Sequence, residues 1–201
     1  MITIVWDIDD VLNNLMAAWF EDGWRGKHGD CRLEIKNLVE NPPHRVLGVS
    51  REEYLASLDE FRASCERTLE PNATILEWLK NKGRNYRHFA LTARPLASVP
   101  AQTEWLFRNF GEFIRGYGVV PSRPATEEPY DRNKADYLSW MSVGDIFVDD
   151  NEENIRAAVE LGLTGILYPQ PWNRSRLNPL EIGDEIERAA ASCEKRRVAR
   201  G

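Results

Sequence analysis

A short apolar run, Ile2-Thr3-Ile4-Val5-Trp6, ends in a cluster of carboxylates: Asp7, Asp9 and Asp10. Side chains along a strand repeat every two residues, so Asp7 and Asp9 are expected to leave the strand end on one side, close enough to share a cation. Carboxylates crowded in this way repel one another unless a metal, a proton or a cationic partner compensates. Three later segments carry matching chemistry. Ala90-Leu91-Thr92-Ala93-Arg94 closes a second run with a hydroxyl and a cation, Asn133-Lys134-Ala135-Asp136 places a lysine at a helix start, and Asp149-Asp150-Asn151 ends another run in paired acids. Taken singly, each has a plainer reading: a polar turn, a strand threonine, an exposed lysine, a helix N-cap. Their coincidence in one chain points instead to one site.

The elements that must position these residues alternate. Residues 2–6, 86–92, 113–119, 145–149 and 164–168 read as strands, the first as an unbroken apolar run of the kind buried on both faces. Helical patterns fall at 72–82, stopped by Gly83, at 100–110 after Pro100, at 133–141, and at 152–161 before Gly162. This alternation predicts an α/β, Rossmann-like, mainly parallel sheet with helices on both faces. Ligands in such folds collect beyond the carboxyl ends of the strands, where Asp7, Thr92 and Asp149 fall. Residues 13–70 are too long for a simple crossover. With helical patterns at 13–24 and 51–65 and loops at 23–30 and 41–50, they read as a small helical cap inserted after the first strand. The core then comprises residues 1–12 and 71–201.

Composition narrows the classes. The chain has 201 residues, 42% hydrophobic, with a formal net charge of −6. That is enough apolar material for a core, and the acidic balance argues against a nucleic-acid or anionic-membrane surface. Cys31, Cys65 and Cys193 are scattered thiols without disulfide or zinc spacing, and suit a reducing compartment. With no membrane-length apolar run and no targeting segment in view, a cytoplasmic location is expected. His28, His44 and His88 share no metal-ligand spacing, and Lys195-Arg196-Arg197 with Arg200 reads as a solvated helix end.

The four segments, in this order and at these strand positions, resemble the haloacid dehalogenase (HAD) superfamily of phosphatases, whose first cap position matches the insertion. Within it, the chain is most similar to the 5'(3')-deoxyribonucleotidase group, on cap length, the paired aspartates and Pro171-Trp172-Asn173. Asn13 and Asn14 stand where that group carries small and acidic residues. The resemblance implies Asp7 as nucleophile and Asp9 as the acid and base. It also implies a Mg²⁺ ion held by Asp7, the main-chain carbonyl of Asp9, and Asp149 with Asp150. Thr92 and the Ala93 amide would hold phosphate oxygens, and Lys134 would offset the charge of Asp7 and the phosphoryl group. Arg94 is a candidate to reach the substrate, with a surface salt bridge as the alternative, and Trp19, Phe20 and Trp24 could stack on a base.

The expected protein is therefore a Mg²⁺-dependent phosphatase acting on a small phosphorylated metabolite through an aspartyl-phosphate, with a 5'-nucleotide favoured. A sugar phosphate or other small organophosphate is the alternative, and a receiver-like or phosphate-binding protein is a reading from another class. Self-association is left open.

Overall fold

The computed structural model describes residues 1–122, 131–142 and 144–200. Its five-stranded sheet comprises β1 (Thr3–Trp6), β2 (Arg87–Arg94), β3 (Ile114–Pro121), β4 (Ile146–Asp149) and β5 (Thr164–Leu167), in the order β3-β2-β1-β4-β5. All four pairings are parallel, with Trp6 opposite Ala90 on one side and Val148 on the other. The unbroken apolar character of residues 2–6 follows from this central place. Ile4 and Trp6 pack into the larger core, while Val5 joins Leu91, Phe147, Leu138 and Ala158 on the opposite face.

The helices are α1 (Leu15–Ala18), α2 (Arg25–Lys27), α3 (Arg51–Cys65), α4 (Ala73–Lys82), α5 (Val99–Phe110), α6 (Lys134–Met141), α7 (Glu152–Glu160) and α8 (Ile182–Arg200). Side chains of Ser50, Asn72, Asn133 and Asn151 cap α3, α4, α6 and α7, satisfying amides that have no partner inside the helix. Gly162 adopts φ +91° just past α7, a left-handed turn that suits glycine.

One expectation about these elements needs correction. Residues 23–27 are not loop: a π-helical stretch, Trp19–Trp24, carries α1 directly into α2. A Cβ at Gly23 would stand 3.0 Å from the Phe61 ring, so the missing side chain lets α3 approach, and tertiary packing overrides the glycine's breaking tendency. As expected, α4 ends at Lys82 with Gly83 at its C-cap; the glycine's φ is −57° and the chain continues as a 3-10 turn to Asn85. The basic cluster is a solvated helix end, as expected: Lys195, Arg196 and Arg197 are exposed near the end of α8, whose Ile182, Ile186 and Ala190 are buried in the larger core, and Arg197 pairs with Asp145 at 2.7 Å. No helix among the described residues is long and apolar enough to cross a membrane.

His88 is buried on β2, opposite Ile4 of β1. Its Nδ1 accepts from the Trp6 indole at 3.0 Å and its Nε2 faces the Gly83 carbonyl at 2.8 Å, an arrangement that uses the neutral ring. Burial lowers its pKa below 6.5. With the folded pKa depressed, the unfolded chain binds more protons in that window, so stability falls as pH drops through about 6.5. Relative to His88→Gln, which cannot titrate, wild type is therefore expected to lose unfolding temperature between about pH 7 and about pH 5. A difference between the two that does not change with pH would take His88 out of this account.

Candidate active site

The carboxyl ends of β1 and β4 deliver Asp7 and Asp149 side by side, because the Asp7 amide continues the ladder by donating to Val148 O at 2.8 Å. One carboxylate oxygen from each of Asp7, Asp149 and Asp150 lies within 4.8 Å of the others, and all three residues are buried. Lys134 enters from the first turn of α6, where the Asn133 cap fixes the helix start. Its ammonium reaches Asp7 Oδ1 at 2.6 Å and Asp149 Oδ2 at 2.7 Å. Asp7 Oδ1 also accepts from the Ile8 amide at 2.7 Å, whereas Oδ2 takes part in neither bond. Asn151 caps α7, so the helix start and the acid pair are adjacent duties shared among neighbouring residues rather than competing readings of one tripeptide.

Burial and mutual repulsion govern the charges. Burial raises the Asp7 carboxyl well above its ordinary value; Lys134 opposes this, and Asp149 and Asp150 reinforce it. Asp150 is pushed up to about 7, first by burial and then by Asp149, although the Trp172 indole donates to its Oδ2 at 2.6 Å. Burial would lower the Lys134 pKa, but the two aspartates raise it, so the ammonium stays charged. Hard carboxylate oxygens in excess over one lysine form a donor set that fits Mg²⁺. Since a proton on Asp150 competes with a cation, the rise in unfolding temperature with added Mg²⁺ is expected to be larger at about pH 8 than at about pH 6. An equal rise at both values would remove Asp150 from the ligand set.

Asp9 departs from the expected arrangement. β1 ends at Trp6 and Asp10 takes φ +63°, so strand alternation does not extend through the acids. The Asp9 carboxylate lies outside the three-acid cluster. It accepts from Arg94 at 2.8 and 3.1 Å, Gln102 at 3.1 Å, Arg62 at 3.2 Å and Asn13 at 3.3 Å. Burial would raise its pKa, but Arg94 and Arg62 pull it down to about 2; cations, not crowded acids, tune this group. Asp10 is raised by burial and by Asp150, and its Oδ1 accepts from the Met16 amide at 2.8 Å.

A cavity of about 200 Å³ joins most of these groups. Asp7, Asp9, Thr92, Ala93, Lys134 and Asp150 line one side, and Leu15, Met16, Tyr54, Leu58 and Arg62, from the stretch between β1 and β2, line the other. Thr92 sits inside β2, and its buried Oγ1 has no hydrogen-bond partner. Arg94 is fully buried and held by Asp9 and Glu66, away from both the surface and the cavity wall. Trp19, Phe20 and Trp24 are core residues, with Trp19 packed on Trp24 and Tyr54.

Several supporting residues escaped sequence reasoning. Asn154 donates to both Asp149 oxygens, Gln170 to Asp10 O, and Asn173 to Asp150 O. Pro171-Trp172-Asn173 was the one available signal for this group, and two of its side chains hold Asp150. An outer pocket of about 490 Å³ adjoins the cavity, sharing Asn41, Asp150 and Asn151 and adding Trp172.

No protein-family model matches the chain, and no curated protein matches it. Solved structures do. A haloacid dehalogenase-like hydrolase from Streptococcus pneumoniae is 16% identical, covering 91% of this chain and 90% of its own, with a TM-score of 0.58. A provisionally assigned beta-phosphoglucomutase from Thermotoga maritima is 16% identical over 94% of this chain and 99% of that one, with a TM-score of 0.57. A provisionally assigned HAD hydrolase from Bacillus subtilis, bound to magnesium and described as showing interdomain movement, is 14% identical over 89% and 92%, with a TM-score of 0.52. At these identities the likeness is one of fold: the chain carries the α/β fold of HAD hydrolases. These neighbours give no support to the nucleotidase subgroup.

Proposed function

We propose that this protein is a Mg²⁺-dependent phosphatase of small phosphate monoesters, and that residues 13–70 form a cap over a core of residues 1–12 and 71–201. The observation that carries the reading is the buried Asp7–Lys134–Asp149 bridge beside Asp150, opening onto the same cavity as the unpartnered Thr92 hydroxyl. Phosphate monoesters hydrolyse very slowly without help, so a nucleophile and compensating charge must be held ready. Asp7 Oδ2 attacks phosphorus, forming a carboxyl–phosphorus bond as the ester P–O bond breaks. A water then attacks the aspartyl-phosphate, losing its proton to Asp9 and releasing phosphate. Asp9, kept ionised by its arginines, suits that second step directly; in the first it relays a proton from solvent water to the leaving oxygen. Thr92 Oγ1 and the Ala93 amide bind phosphoryl oxygens, and Lys134 holds Asp7 in position. Mg²⁺, held by Asp7, Asp149 and Asp150, would neutralise charge on the transferring group.

The substrate favoured is a sugar phosphate or similarly small organophosphate. The cavity is smaller than the roughly 300–1,000 Å³ of usual ligand pockets, and one fold neighbour is assigned to a sugar phosphate. The outer pocket is the observation that keeps a nucleotide in view, since a nucleoside would extend into it past Asn41 and Asp150. Phosphate release from a panel of sugar and nucleoside monophosphates, with Mg²⁺ or chelator, tests both. Metal-dependent release from sugars supports the favoured substrate, and release confined to nucleotides replaces it. Activity indifferent to chelator would overturn the metal assignment, while a stable aspartyl-phosphate without turnover would indicate a receiver.

A further inference from the structure

The inserted segment leaves and rejoins the core through adjacent backbone. Asn13 bridges Pro71, and Asn72 reaches back to Leu12 O from its amide at 2.7 Å and to Val11 O from its side chain at 2.9 Å. Such a paired stem allows the segment to turn as a unit over the strand ends. Away from the stem, a buried quartet of alternating charge crosses the boundary. Glu66 and Arg62 come from the insertion; Arg94 and Asp9 come from the core. Glu66 Oε1 meets Arg94 Nη1 at 3.1 Å, Arg94 Nη2 meets Asp9 Oδ2 at 2.8 Å, and Arg62 Nη2 meets the same Asp9 oxygen at 3.2 Å.

The members are not equivalent. Arg94, Gln102 and Asn13 hold Asp9 from β2, α5 and the stem, and remain with it whatever the insertion does. Gln102 is itself fixed by the Tyr117 hydroxyl at 3.1 Å. Arg62, on α3, is the one member of this cluster that both touches Asp9 and lines the cavity from the insertion side. Its side chain is 10% exposed, its Nε is buried without a partner, and Asp59 one turn earlier steadies Nη1 at 3.6 Å.

We propose that Arg62 is a positioning residue: it latches the inserted segment onto the Asp9 carboxylate and completes the set of donors that orients that carboxylate only when the segment is closed over the site. The proposal rests on the phosphatase reading and adds to it a coupling between closure and the alignment of Asp9. Such coupling serves a phosphatase, because the group that activates water is fully ordered only once the cavity is shut.

The test compares Arg62→Ala and Arg62→Lys with wild type by steady-state phosphate release, alongside thermal unfolding and amide hydrogen exchange. Arg62→Ala is expected to lower kcat by roughly 100-fold, the scale of a displaced catalytic group, while KM changes far less. Arg62→Lys, which keeps the charge and loses the fork, should recover part of the rate, as should guanidinium ion added to Arg62→Ala. Exchange should quicken at residues 8–13 and stay unchanged in β4. A kcat within about twofold of wild type for Arg62→Ala would overturn the proposal, whatever its unfolding temperature. Should Arg62→Ala fail to fold, Arg62→Lys decides: full wild-type kcat with unaltered exchange overturns the latch. A wild-type chain that releases no phosphate sinks the phosphatase reading instead, and the exchange at residues 8–13 then reports on the latch separately.

Discussion

Asp7→Asn is expected to abolish phosphate release, by about 10⁴-fold or more, because among the described residues Asp7 is the one carboxylate that both pairs with Lys134 and lines the cavity with Thr92. Its effect on stability should run the other way. The folded protein raises the Asp7 pKa, chiefly by burial, so the folded state favours the protonated acid and the ionised form weighs against folding at neutral pH. An amide removes that charge and leaves Lys134 paired with Asp149 at 2.7 Å. Without metal, Asp7→Asn should therefore unfold at a temperature equal to or above that of wild type. With Mg²⁺ the order should invert, since the variant has lost one of three clustered carboxylates. Phosphate release and unfolding temperature, each measured with and without Mg²⁺, check both halves. A variant that kept its activity would dismiss Asp7 as the nucleophile.

That opposition between site and fold is what the sequence displayed most openly. Four acids at the ends of apolar runs have no structural economy of their own, and the runs containing Val5 and Phe147 are pure because they are buried on both faces of a parallel sheet. Lys134 was legible as a helix-start lysine, and its role beside Asp7 through the coincidence of the four segments. What governs Asp9 was not. Its partners Arg62 and Arg94 lie 53 and 85 residues away, and no period or spacing connects them to it. Arg94 reads as a cation reaching the substrate or a surface salt bridge until the fold buries it between two acids. Asp10 looked like one more carboxylate, yet its positive φ lies in the turn that follows β1, where strand alternation no longer decides which way the Asp9 carboxylate faces, and Asp9 stays outside the metal-type cluster. The π-helical path through Gly23 was likewise invisible, because it depends on Phe61 arriving from α3.

Lys134→Met should be the most destabilising single change at the site. The ammonium is buried between two carboxylates at 2.6 and 2.7 Å, with Asp150 beside them. Removing one partner of a buried ionic group strands the others, at a cost of about 3–5 kcal/mol. Against a total stability of about 5–15 kcal/mol, that is a large fraction. For a chain of this size it corresponds to a fall of about 6–20 °C in unfolding temperature. The loss should be conditional. A divalent cation supplies the charge that the lysine no longer does, so Mg²⁺ should raise the unfolding temperature of Lys134→Met by more than it raises that of wild type. Phosphate release should stay low even in saturating metal, because Asp7 Oδ1 would be without the donor that orients it and the site would meet an anionic substrate with one positive charge fewer. A metal-free variant as stable as wild type would mean that the desolvation of Lys134 cancels its two ion pairs. The lysine would then be kept for the chemistry alone.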